Sequence, residues 1–118
     1  INPMIVRGQV TGGLINGLGW ALTEKFVYDE AGQLLTGTFM DYLLPRFSDI
    51  PPLEIAHVEC PTPFTELGAK GMAETGSIPP IACIASAVED AIYHLGGRIV
   101  DSHLTPELVL SAIRNGRG

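Results

Sequence analysis

Apolar positions recur along this chain at two periods. Over residues 8–25, Leu14, Ile15, Leu18, Ala21 and Leu22 fall on one stripe at helical spacing, which predicts a helix. Ile81, Ile84, Ala85, Val88 and Ile92 draw a second stripe, with Ser77 as N-cap, Pro79 and Pro80 in the first turn and Gly96-Gly97 as the stop. Thr105-Pro106-Glu107 combines a capping hydroxyl, a proline at the first position and an acid near the helix dipole, and opens a short helix that runs through Ile113. Period two appears over residues 53–60, where Leu53, Ile55, His57 and Glu59 share one face, and predicts a strand. Two short apolar runs, 26–28 and 34–36, flank Asp29-Glu30-Ala31-Gly32-Gln33 and read as a β-hairpin. The run 39–44 enters a loop, because Pro45, Pro51 and Pro52 bar regular structure there. Residues 61–77 form a second loop, residues 98–101 a short strand or linker, and the tail from Arg114 to Gly118 is expected to fray. The sum is an α+β fold: two main helices packed on a small sheet with a β-hairpin, long Gly/Pro-rich loops and a short C-terminal helix.

Composition narrows the class. With 118 residues, 46% hydrophobic and 17% charged, the chain is expected to form a single domain over 1–118 and is too apolar for disorder. Its formal charge of −6 argues against nucleic acid or an anionic membrane as partner. No apolar run reaches the ~18–20 residues of a membrane span. The opening Ile1-Asn2-Pro3-Met4 does not read as a secretory leader, and a chain that starts on isoleucine is expected to have been processed or cut from something longer. Cys60 and Cys83 form no paired motif and read as small buried hydrophobes of a reducing compartment, the cytoplasm, or as one incidental bridge. Gly12, Gly13, Gly17 and Gly19 all fall in the first helix, where each costs up to about 1 kcal/mol against alanine. Such a helix lets another backbone or a ligand come very close, or it simply packs closely on a sheet; both readings stay open.

His57, His94 and His103 fit no zinc spacing, so no metal ligands are expected from this chain. No Walker A loop, dinucleotide fingerprint or nucleophile elbow is present. The segment Gly68-Ala69-Lys70-Gly71-Met72-Ala73-Glu74-Thr75-Gly76-Ser77 is different in kind. It is a glycine-punctuated loop that feeds a helix N-terminus, where free N–H groups and the dipole suit an anion. It holds one carboxylate, Glu74, which reads either as a general base beside a ligand or as a solvated or capping loop residue.

In order along the chain stand Arg7-Gly8-Gln9-Val10, Gly12-Gly13, Gly17-Leu18-Gly19, Ala21-Leu22 and Glu24, then Tyr28-Asp29, Gly32-Gln33, Asp41-Tyr42 and Pro45, then Lys70-Gly71-Met72-Ala73-Glu74 and Asp90-Ala91, and finally Leu104-Thr105-Pro106-Glu107. This ordered set resembles the molybdopterin-binding large subunits of the xanthine dehydrogenase/aldehyde oxidase/aerobic carbon monoxide dehydrogenase family, over essentially the whole chain. The resemblance implies the C-terminal part of such a subunit, in which a molybdenum–molybdopterin cofactor oxidises an aldehyde, an N-heterocycle or carbon monoxide with water as the oxygen source. Glu74 is then the catalytic base, and Gln9, Gly71, Met72 and Ala73 are cofactor contacts. Electrons leave through 2Fe–2S clusters to FAD on partner chains or domains. Bacterial members commonly carry the cytosine dinucleotide form of the cofactor. The segments that bind most of the pterin are missing, so the chain is expected to bind no cofactor and to be inactive alone. Ala73 stands where the family motif has glycine; if that position needs a positive φ, the placement of Glu74 changes. The alternative is a non-catalytic binding or assembly domain that kept the fold. A nucleotide-binding regulator is weaker still, because nothing reads a base or ribose.

Overall fold

Asn2 and Pro3 set the first helix. Asn2 is extended, and its side-chain oxygen accepts the Ile5 N–H at 3.2 Å; Pro3 takes the first helical position, where its missing N–H is no loss. In the computed structural model, which describes residues 1–116, helix α1 therefore spans Pro3–Leu22. It begins earlier and ends sooner than the predicted 8–25. Helix α2 spans Pro80–Tyr93 and helix α3 spans Pro106–Asn115, with one 3₁₀ turn at Phe47–Asp49 between α1 and α2.

Ser77 does not cap α2. Its hydroxyl donates to the Glu74 carbonyl at 3.2 Å, and Pro79 holds the cap position with no side-chain bond. Pro79 and Pro80 carry no N–H, so this end has fewer orphan donors to satisfy. The stop matches expectation: Gly96 adopts φ +82°, and the Gly96 and Gly97 N–H groups return to Tyr93 and Ile92 carbonyls at 2.9 and 3.3 Å. Thr105 caps α3 as the sequence implies, accepting the Leu108 N–H at 3.2 Å. Arg114 and Asn115 extend that helix rather than fray; residues 117–118, the end of the expected frayed tail, lie outside the described residues.

The predicted sheet and β-hairpin are absent: among the described residues there is no strand. The 26–36 segment keeps one antiparallel bridge, Tyr28 to Leu34, around a turn in which Gly32 has φ +80°. Residues 53–60 form no regular element, and residues 98–101 are a linker. Leu53 and Ile55 are half-buried while their neighbours are exposed, so the alternation is expressed, but among the described residues the segment makes no ladder pairing. A lone two-stranded ribbon is marginal in water, and three or more strands are needed for a stable face.

The core is small. α1 and α2 pack on each other, and Gly17 makes that contact possible: a Cβ there would lie 2.7 Å from the Pro80 ring. Gly19 faces Pro45 and the Glu24 side chain. The Leu104 N–H donates to the Ala21 carbonyl at 2.8 Å, tying the lead-in of α3 to the end of α1. Ala21, Pro80, Ile92 and Leu104 are the buried apolar side chains among the described residues, whereas Phe47 and Phe64 are almost fully exposed. The accessible surface is 9023 Å². A compact monomer of this mass exposes about 6,200 Å². The radius of gyration is 18.2 Å, against about 13.5 Å for a compact chain of this length. No helix among the described residues is long and apolar enough to cross a membrane.

Candidate functional site

The loop that carries Glu74 is held against α1 largely without side chains. Gly13 and Gly76 meet backbone to backbone: a Cβ on Gly13 would lie 2.8 Å from the Gly76 carbonyl carbon and the Ser77 nitrogen, and one on Gly76 would lie 2.6 Å from the Val10 oxygen. Of the two readings of the α1 glycines, helix–sheet packing fails because the described residues hold no strand, and close backbone approach is realised at Gly13, while Gly17 takes the Pro80 ring with the Ser77 carbonyl beside it. Gly12 has nothing within 4 Å.

One side chain reinforces this contact. The Gln9 amide donates from Nε2 to the Ala73 carbonyl at 2.6 Å, joining residues 64 positions apart. Downstream, the Glu74 carbonyl accepts from the Ser77 N–H at 3.1 Å, the Ile78 N–H at 3.3 Å and the Ser77 hydroxyl. Upstream, the Thr65 hydroxyl donates to the Ala69 carbonyl at 3.0 Å, and Gly68, at φ +67°, packs on Pro61. The loop is thus pinned at both ends. Ala73 has no positive φ, so alanine is unstrained where the family motif carries glycine.

Between the pins, the N–H groups of Gly71, Met72, Ala73 and Glu74 find no acceptor among the described residues. The Glu74 side chain is exposed and makes no hydrogen bond. Gly71 and Met72, with Lys70, line one wall of an open cleft of about 800 Å³, and Val58, Glu59 and Cys60 form the other. Gln9, Ala73 and Glu74 lie outside that cleft but are joined to its edge through the loop. A run of unpaired donors on a pinned loop suits an anionic ligand such as a pterin dithiolene or phosphate, so the residues present fit the cofactor that the resemblance implies. No cluster of three or more His, Cys, Asp or Glu side chains that could hold a metal occurs among the described residues. Cys60 and Cys83 are both free and exposed, so neither the burial nor the incidental bridge that the sequence suggests is realised.

The motif residues Glu24 and Tyr42 turn out to be structural. The Tyr42 hydroxyl donates to Glu24 Oε2 at 2.7 Å, and its ring lies 4.9 Å from that of Phe26. That hydrogen bond, helped by partial burial and the carboxylate charge, raises the Tyr42 phenol above its ordinary pKa. Sequence reasoning singled out Gln9 and Ala73 separately and missed that they touch. It also missed the roles of Gly76 and Ser77 in holding Glu74. The spacing of Gly13 and Gly17, one turn apart on one face, was the available signal for the close approach.

Comparison with known proteins bears on the family of the chain. A family model for the molybdopterin cofactor-binding domain matches residues 1–51. The chain is 43% identical over 114 residues to the nicotine 6-hydroxylase large subunit of Paenarthrobacter nicotinovorans, covering 97% of this chain and 14% of that one. It is 38% identical over 114 residues to the carbon monoxide dehydrogenase large chain of Hydrogenophaga pseudoflava, with the same coverage of both. The crystal structure of quinoline 2-oxidoreductase from Pseudomonas putida 86 superimposes with a TM-score of 0.93 at 43% identity, over 98% of this chain and 15% of that chain. The chain spans about a seventh of the length of these relatives, and it belongs to the family of molybdopterin-binding large subunits represented by those of xanthine dehydrogenase and carbon monoxide dehydrogenase.

Proposed function

We propose that residues 1–118 act as a single domain, the C-terminal part of the large subunit of a molybdenum hydroxylase, and that Glu74 is its catalytic base. The observation that carries this reading is the convergence of Gln9 and the 71–74 loop, which gathers the implied base and all four implied cofactor contacts in one place. Gln9 and the N–H groups of Gly71, Met72 and Ala73 hold the molybdenum–molybdopterin cofactor, in its plain or cytosine dinucleotide form. When bound, the cofactor supplies a Lewis-acidic centre that accepts two electrons and draws its oxygen from water. The Glu74 carboxylate takes up the proton released as that oxygen turns nucleophilic. The small-molecule substrate is an aldehyde, an N-heterocycle or carbon monoxide.

The remainder of the subunit completes the cofactor shell and covers the surface excess of roughly 2,800 Å² over a compact monomer. Electrons pass to 2Fe–2S and FAD partners, and the free thiols of Cys60 and Cys83 fit the reducing cytoplasm. On this reading the chain alone is inactive. The test is Glu74→Gln in the complete enzyme. Loss of a positioned base lowers turnover by about 10² or more, and near-normal turnover of that variant overturns the assignment.

A further inference from the structure

We infer that Gln9 is a positioning residue: it fixes the orientation of the Ala73–Glu74 peptide, and with it the direction in which the Glu74 N–H is presented. The inference rests on the reading of Glu74 as the base. A trans peptide is planar, so its C=O and N–H point in opposite directions. No peptide among the described residues is cis, and Gln9 draws the Ala73 carbonyl toward α1. The Glu74 N–H must then point away from α1, and it has no acceptor among the described residues.

The peptide that follows Glu74 is already held, because its carbonyl accepts from Ser77 and Ile78. The chain beyond is locked where Gly76 sits on Val10 and Gly13. The preceding peptide has no backbone donor on its carbonyl among the described residues, and the side chain that holds it is Gln9. Without it, rotation about the Ala73 ψ and Glu74 φ angles turns the plane over. A carbonyl oxygen then faces outward where a donor was, which an anionic ligand opposes, and the backbone from which the base projects is re-aimed. Alanine at 73 acts in the same sense, since its Cβ leaves fewer backbone states open than glycine does. Gln9 is itself exposed, so its bond adds little to global stability and acts chiefly on direction.

The experiment compares Gln9→Met, which keeps the length and removes the donor, and Gln9→Glu, whose ionised carboxylate cannot donate, with the wild-type complete enzyme. Steady-state kinetics, cofactor content and amide hydrogen exchange of peptides covering 69–78 and 80–93 are measured. The expected result is a fall in kcat of about tenfold with KM within about twofold, as one lost hydrogen bond implies. Exchange in 69–78 is faster while 80–93 is unchanged. Unchanged exchange in 69–78 overturns the inference, including the case where only cofactor content falls, which makes Gln9 a direct contact and nothing more. Glu74→Gln run alongside separates the two claims. If it retains turnover, the base reading fails whatever the exchange shows; if it is inactive while both Gln9 variants behave as wild type, only the positioning role fails.

Discussion

Gly13→Ala in the complete enzyme tests whether the site depends on backbone contact. The added Cβ would lie 2.8 Å from Gly76 carbon and Ser77 nitrogen, whereas ordinary contact begins near 3.4 Å. Neither neighbour is a side-chain tip that can rotate aside, so the loop must retreat by about 0.6 Å, the gap to that contact limit. Overpacking of this kind costs about 1–3 kcal/mol. Replacing a helical glycine returns up to about 1 kcal/mol, so with the full return the net loss of stability is about 0–2 kcal/mol. The catalytic loss is larger, because a misplacement approaching 1 Å near the reacting groups costs up to about 10²-fold. The expected signature is a fall in kcat of about ten- to a hundredfold with only a small drop in thermal stability. Gly12→Ala, one residue away with nothing within 4 Å, is the comparison and keeps its kcat. Wild-type kcat in Gly13→Ala refutes the reasoning, as does equal damage from both substitutions.

Three further outcomes follow from other parts of the fold. Glu24 raises the Tyr42 pKa, so the folded form holds the phenolic proton more tightly than the unfolded one; the resulting stability is full below pH 10.0 and is lost as pH rises through the raised value. Tyr42→Phe abolishes this alkaline component in pH-dependent unfolding, and an unchanged slope above pH 10.0 counts against the pair. Leu104 is 5% exposed, so Leu104→Ala destabilises by about 2–3 kcal/mol, read by denaturant unfolding; no shift in midpoint contradicts its place in the core. Small-angle scattering of the separate 118-residue chain gives a radius of gyration of 18.2 Å or more, and a value near the compact-chain figure of about 13.5 Å argues that it closes on itself.

The helices were legible because their instructions are local. Thr105-Pro106-Glu107 and Gly96 place their caps within a few residues of the helix they bound. Asn2-Pro3 carried the same signal for α1, and the glycine-rich stripe further along drew the predicted start too far inward. Residues 53–60 show the opposite case. Alternation encodes an extended segment, but a strand exists only with a paired partner, and within the described residues none pairs with it. The loop that carries Glu74 was readable from its glycines. The Gln9–Ala73 bond was not, because it spans 64 positions and neither residue type announces the other. Ser77 was misread for a related reason: a serine just before a helix has two backbone targets, and the turn at Glu74 won it.

The meeting of Gly13 with Gly76 also bears on how such a segment diversifies. A distance set by two main chains has no side chain through which it can drift. Solved relatives that differ from this chain at well over half of their aligned positions, and that are named for substrates as unlike as quinoline and carbon monoxide, superpose on its fold. Variation in substrate can accumulate on the walls around it while the stem of the loop stays at one fixed gauge.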